Sequence, residues 1–149
     1  MRITSVFLVL ALSISLFAME VGIGVSYSFT GQLMYFAELN TFPVQKTGPN
    51  TKSAFSLMFT TNFSNRYLLG FGGIAKYDIN LEFGTVSLYG MGGMIVPVDN
   101  FGFDKVTSQV RVGAKYYVGN LVFNAGIYSL FLFDSTKLEG IEFSIGYAF

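Results

Sequence analysis

From Glu20 onward, apolar and polar positions alternate with a period of two almost without interruption. Val21, Ile23, Val25, Tyr27 and Phe29 stand against Gly22, Gly24, Ser26 and Ser28, and Leu33, Tyr35, Ala37 and Leu39 resume the phase after Thr30-Gly31-Gln32. Successive side chains of an extended chain point to opposite faces, so each run describes a strand with one bulky apolar face and one small or polar face. Phe55, Leu57, Phe59 and Phe63 repeat the pattern. After Ser64-Asn65-Arg66, the odd positions Tyr67 to Phe83 carry it on. Beyond Gly84-Thr85 the apolar phase moves to even positions, Val86, Leu88, Met94, Val96 and Val98. Asp99 to Lys105 reads as a loop, followed by Val106 to Val118, a tight turn at Gly119-Asn120, and Leu121 to Phe133. Asp134 to Leu138 then leads into a last run, Gly140 to Phe149.

Residues opposite each other across a hairpin share a face. A two-residue turn therefore switches the apolar parity and an odd-length turn keeps it. Gly84-Thr85 and Gly119-Asn120 switch it, whereas Thr30-Gly31-Gln32 and Ser64-Asn65-Arg66 keep it. The pattern predicts an all-β chain of about eight antiparallel strands, closed up-and-down into a transmembrane barrel, most of them near the ~9–11 residues a tilted membrane strand needs. Val21 to Leu39 reads as one long strand or two, and division at Thr30-Gly31-Gln32 gives workable lengths. Tyr67 to Phe83 stays whole across Gly72-Gly73. This division makes Asn40 to Ala54, with Pro43, Gly48 and Pro49, the longest loop. It also puts that loop at the end of the barrel where such proteins keep short turns.

Size and charge assign the faces. An eight-stranded barrel has an interior only wide enough for side chains to fill, and the phenylalanine-rich face is too bulky for it. The small face also carries Lys76, Asp78, Glu82, Arg111, Lys115 and Glu142, three of each sign. A charge facing lipid costs roughly 2–4 kcal/mol at the bilayer midplane, so this face belongs inside. Met34, Met58, Tyr89, Met91 and Tyr128 share it and fill space. The narrow bore and the balanced signs favour an ion-paired plug over a second reading, a narrow path for ions or small solutes. A third reading is a soluble, secreted ligand-binding barrel with its apolar face inward. On the bulky face, Tyr27, Tyr67, Tyr77, Tyr116 and Tyr147 lie near strand ends, as in an interfacial aromatic girdle.

Composition narrows the picture further. The 149 residues suffice for one domain, of which 12% are charged and 52% apolar, about half the usual charged share. Nine basic and nine acidic residues cancel, which leaves no field to recruit nucleic acid. The chain has no cysteine and no histidine. Thiolate chemistry, disulfides and the usual base of nucleophilic catalysis are absent. No Ser-x-x-Lys stands in the chain, and Asp99 and Asp104 of one loop read as solvated rather than as calcium ligands. No catalytic residue, cofactor or metal site is therefore expected. Gly70-Phe71-Gly72-Gly73 and Gly90-Met91-Gly92-Gly93 look like phosphate loops but lack the following Lys-Ser/Thr, and strand glycines more often mark a bend or close packing. At the N-terminus, Arg2, the apolar run Val6 to Phe17 and Ala18 read as an export signal over 1–18, cleaved near Ala18. The run is short of the ~20 residues of a spanning helix. Residues 19–149 are then the barrel domain.

The last run ends Ser144-Ile145-Gly146-Tyr147-Ala148-Phe149, which resembles the C-terminal assembly signal of bacterial outer-membrane β-barrels, carried here by Ser144, Gly146, Tyr147 and Phe149. Tyr67 to Gly90, with Ala75-Lys76-Tyr77-Asp78-Ile79-Asn80 and Val86-Ser87-Leu88-Tyr89-Gly90 around a turn, resembles a periplasmic hairpin of the small eight-stranded barrels of the outer membrane protein A and X type. That resemblance spans Glu20 to Phe149. It implies an outer-membrane resident, carried by periplasmic chaperones and inserted into outer-membrane lipid by the barrel assembly machinery; a monomer is expected. It implies no enzymatic role: the enzymes among such barrels use an exposed histidine, which this chain lacks.

Overall fold

Each strand is built on the period-two pattern. In the computed structural model, which describes residues 19–46, 48–99 and 102–149, eight strands follow in chain order. They are β1 (Met19–Ser28), β2 (Leu33–Lys46), β3 (Thr51–Thr61), β4 (Tyr67–Leu81), β5 (Gly84–Pro97), β6 (Thr107–Val118), β7 (Leu121–Phe131) and β8 (Lys137–Ala148). A short 3-10 turn, Phe103–Lys105, lies between β5 and β6. The predicted signal peptide, 1–18, lies outside the described residues. Every strand pairs antiparallel with its sequence neighbours, and β1 pairs with β8, with Ile23 opposite Ile145 and Ser26 opposite Glu142, to close the barrel. Closure satisfies both edges at once, the condition for a sheet with an apolar exterior.

The face assignment follows parity throughout. Ile23, Phe55, Leu88, Val110, Ile127 and Phe143 are exposed on the outside, whereas Met34, Met58, Tyr89, Met91 and Tyr128 are buried inside. Tyr27, Tyr77, Tyr116 and Tyr147 are exposed as well. The start of β1 and the end of β8 meet at one end of the barrel, here the termini end, which also holds the β2–β3, β4–β5 and β6–β7 connections. The other four connections, longer on the whole, form the loop end.

Three local expectations change. Asn40 to Ala54 is not a loop. β2 runs on to Lys46 and β3 begins at Thr51, so only a short connection remains at the termini end. The β2–β3 register shifts between Thr41 and Gln45, an irregularity that accommodates Pro43, which has no N–H to give to a ladder. The conflict of a long loop at the short-turn end thereby disappears. Next, the β4–β5 turn is Glu82-Phe83, with Leu81 opposite Gly84, not Gly84-Thr85. Gly84 is a close-packing glycine: it adopts φ +155°, and a Cβ there would run into the Tyr117 carbonyl of β6. Parity is unaffected, because the true turn also has two residues. Finally, Phe29 belongs to the first turn, since Tyr27 opposes Leu33 and Gly31 takes φ +87°.

The two glycine motifs turn out to be partners. Gly72 faces Gly93 and Gly73 faces Gly92 across β4 and β5. A Cβ on Gly72 would strike the Gly92 carbonyl, and one on Gly93 the Phe71 carbonyl, while Gly73 and Gly92 have open space outside. These glycines serve close backbone approach within a hairpin.

Candidate functional site in the barrel interior

The interior is ordered in three tiers from the termini end to the loop end. In the first, Glu20 of β1 is the hub. Its Oε1 accepts from Lys115 Nζ of β6 and from Asn40 Nδ2 of β2 at 3.2 Å, and its Oε2 accepts from the Tyr117 hydroxyl at 2.5 Å. Lys76 of β4 donates to that hydroxyl at 2.8 Å, lies 3.9 Å from Glu20 Oε2 and sits 4.3 Å from the Tyr117 ring centre. Glu38 of β2 accepts from Lys115 at 3.3 Å, from Asn40 at 3.3 Å and from the Ser144 hydroxyl at 3.3 Å. At the rim of this tier, Asp78 takes the Ser87 hydroxyl at 2.5 Å and pairs with Lys52 at 2.8 Å.

The second tier is smaller. Arg111 of β6 pairs with Glu142 of β8, whose Oε1 also accepts the Tyr89 hydroxyl at 3.0 Å. Arg111 Nε reaches Gln109 Oε1 at 3.4 Å, and Gln109 in turn donates to the Met94 carbonyl at 3.2 Å. The guanidinium lies 5.6 Å from the ring centres of both Phe36 and Tyr128, within cation–π range. Above it comes the third tier, an apolar cluster of Met34, Leu68, Ile95, Tyr128, Leu130, Leu132 and Leu138. Six of these stand on the loop-end halves of their strands and Leu132 follows directly on β7, and Met34 and Leu130 have no exposed surface.

Five of the six predicted interior charges, Lys76, Asp78, Arg111, Lys115 and Glu142, enter these tiers. Glu82 does not. It occupies the β4–β5 turn and is exposed, because the turn sits two residues earlier than the glycine signal suggested. Sequence reasoning overlooked Glu20 and Glu38, although both stand at inward positions, between Met19 and Val21 and between Ala37 and Leu39. Burial forces this pairing: an isolated buried ion is costly, so each carboxylate draws a base and hydroxyl donors. Among the described residues, interior acids Glu20, Glu38, Asp78 and Glu142 are matched by Lys52, Lys76, Arg111 and Lys115. What the arrangement does chemically is hold opposite walls of the barrel together.

The residues whose sequence resembles an assembly signal lie in the closing seam. Ser144 and Gly146 face inward opposite Gly24 and Gly22, and a Cβ on Gly146 would crowd the Val21 carbonyl. Tyr147 faces outward with its ring 4.9 Å from that of Phe149, and the Phe149 amide donates to the Met19 carbonyl at 2.7 Å.

No family model and no curated protein matches this sequence. Solved structures do match. A de novo designed transmembrane β-barrel superposes with a TM-score of 0.66 at 17% identity, over 89% of this chain and 95% of the design. The outer membrane enzyme PagL follows at 0.65 and 13% identity, over 86% and 98%. The N-terminal β-barrel domain of Pseudomonas aeruginosa OprF gives 0.56 and 12% identity, over 89% and 97%. At these identities the likeness is one of fold, and the fold shared with those proteins is a closed, eight-stranded antiparallel β-barrel.

Proposed function

We propose that the chain is a non-enzymatic, integral outer-membrane barrel of the outer membrane protein A and X type whose interior is sealed, so that it acts as a structural element of the envelope. The observation that carries this reading is the apolar third tier. Seven side chains spanning five strands and the β7–β8 connection close the bore above a fully paired ionic network. The exterior supports membrane residence, because a band of aliphatic and phenylalanine side chains is exposed on every strand. A water-soluble protein rarely exposes a contiguous apolar surface of that extent. The plug argues against the narrow-pore reading, since its seven side chains offer an ion little beyond the Tyr128 hydroxyl in place of its water. The inward ionic face argues against a soluble barrel with an apolar cavity.

In this reading the four longer connections face outward, the three short ones and both termini face the periplasm, and residues 1–18 direct export. Periplasmic chaperones and the barrel assembly machinery act on the Ser144–Phe149 signal, and the folded protein stays monomeric in lipid. The test is outer-membrane fractionation of the expressed chain together with migration on a detergent gel before and after heating. A folded band that shifts on heating, confined to the outer-membrane fraction, is the expected result. Recovery in the soluble periplasm without detergent overturns the proposal.

A further inference from the structure

The outward faces of the strands are apolar with one charged interruption. Among the described residues, the only charges on those faces are Lys137 and Glu139, the first and second outward positions of β8. They pair at 2.7 Å, each about half exposed. Ser129 of β7 stands opposite Glu139 and donates its hydroxyl to the same carboxylate oxygen at 3.4 Å. The Lys137 ammonium also lies 5.3 Å from the ring centre of Phe131, its partner across the ladder. This notch is set into the apolar band. The Phe29 amide donates to the Glu139 carbonyl at 2.8 Å, and Phe131 and Phe133, both exposed, stand farther toward the loop end. A lipid-facing charge is costly at the midplane and tolerated only near the interface, so the pair marks an interfacial position.

Toward the termini end the notch opens into a groove of about 230 Å³, walled by Phe29, Val110, Val112 and Ile127, with Ser129 and Glu139 at its edge. Val110 faces Ser129, and Val112 faces Ile127 one step deeper. The volume is below the ~300–1,000 Å³ of drug-sized pockets and suits a stretch of one alkyl chain. Lipid tails are as apolar as this wall, so the groove positions a chain without choosing its owner. The choice falls to the notch.

Lys137 keeps donors beyond the one given to Glu139, the carboxylate keeps acceptor capacity on Oε2, and the Ser129 hydroxyl can do both. The ion pair cancels its own charge. In the adjoining connections Asp104 and Asp134 are next in sequence to Lys105 and Phe133, so no net field selects an anion. Neighbouring hydroxyls of a sugar ring each donate and accept, which a row of ammonium, carboxylate and hydroxyl satisfies. We propose that notch and groove together bind one glycolipid, hydroxyls of its sugar head on Lys137, Glu139 and Ser129, and one alkyl chain along Val112 and Ile127. The proposal rests on the barrel reading for the lipid around it, and its test is made on the folded barrel in detergent.

The experiment is native mass spectrometry of the refolded barrel released from tetraethylene glycol octyl ether, a detergent with neither sugar nor charge, and titrated with dodecyl maltoside. Heat-shifted gel migration first shows that each variant is folded. One saturable adduct per barrel is expected. Lys137→Leu/Glu139→Leu removes both charges together and keeps the band apolar; it is expected to weaken binding about tenfold or more, in keeping with the loss of two or more hydrogen bonds. Ile127→Trp, which fills the groove, is expected to weaken it as well, and Glu82→Gln at the far end to leave it unchanged. Dodecylphosphocholine, with the same chain and no hydroxyl, is expected to bind about tenfold more weakly or worse. A folded wild-type barrel without a saturable adduct overturns the proposal and leaves the barrel reading to its own fractionation test. Unchanged affinity of the folded double variant overturns it too, as does equal binding of the phosphocholine or of maltose without a chain.

Discussion

Glu142→Leu is the most informative single change. Its carboxylate accepts from both Arg111 and the Tyr89 hydroxyl, in a place where Arg111 and Glu142 are 2% and 1% exposed. Once it is gone, Arg111 keeps only the 3.4 Å contact to Gln109 and the two aromatic faces. Breaking a buried ion pair from one side costs about 3–5 kcal/mol, and stranding a buried hydroxyl adds about 1–3 kcal/mol. A loss of roughly 4–8 kcal/mol is therefore expected, enough to unfold a marginal domain. Arg111→Met strands Glu142 with one neutral donor and is expected to cost about 3–5 kcal/mol. The double variant Arg111→Met/Glu142→Leu strands no charge and leaves the Tyr89 hydroxyl and Gln109 Oε1 without these partners, for a loss of about 2–6 kcal/mol. The pair should therefore show a coupling of at least about 3 kcal/mol. Urea titration of the barrel refolded in lipid vesicles, read by far-UV circular dichroism and by the folded gel band, measures it. Tryptophan fluorescence is not an option in a chain without tryptophan. A double variant destabilised by the sum of the two singles would refute the coupling on which the second tier depends.

Two further changes test the seam and the glycine hairpin. Deleting Phe149 removes the hydrogen bond to Met19 and the edge contact with Tyr147; it is expected to lower outer-membrane yield more than Glu82→Ala, and equal yields would contradict the role given to the ending. Gly72→Ala pushes a methyl into the Gly92 backbone and is expected to cost about 1–3 kcal/mol, whereas Gly92→Ala points into open space and should stay within about 0.5 kcal/mol. Urea midpoints that do not separate the two variants would show that the close approach of β4 and β5 has been misjudged.

Parity was the most legible property of this chain, because one-residue slips would turn every phenylalanine inward. It sorted Ile23 from Gly22 and Lys115 from Tyr116 without any knowledge of partners. Turn positions were less legible, since glycine has two uses. At Gly119 it makes a turn with φ +58°, as the sequence suggested, while at Gly84 it admits a neighbouring carbonyl inside a ladder. Pro43 misled in a similar way, reading as a loop signal where a register shift absorbs it. The ionic network was half legible. Each inward charge is visible from its position, yet which ions meet depends on stagger between strands distant in sequence, as for Glu20 and Lys115. Nor does alternation reveal that the apolar inward residues gather at one end, because Met34 of β2 and Leu138 of β8 meet only through the closed barrel.

Conductance across a planar bilayer tests the sealed barrel most directly. The purified protein, inserted and verified by its heat-shifted band, is expected to give no discrete current steps in molar salt at any holding potential that the bilayer survives. Well-defined steps that vanish in a folded Arg111 or Lys115 variant would contradict the account and establish the interior as a conducting path.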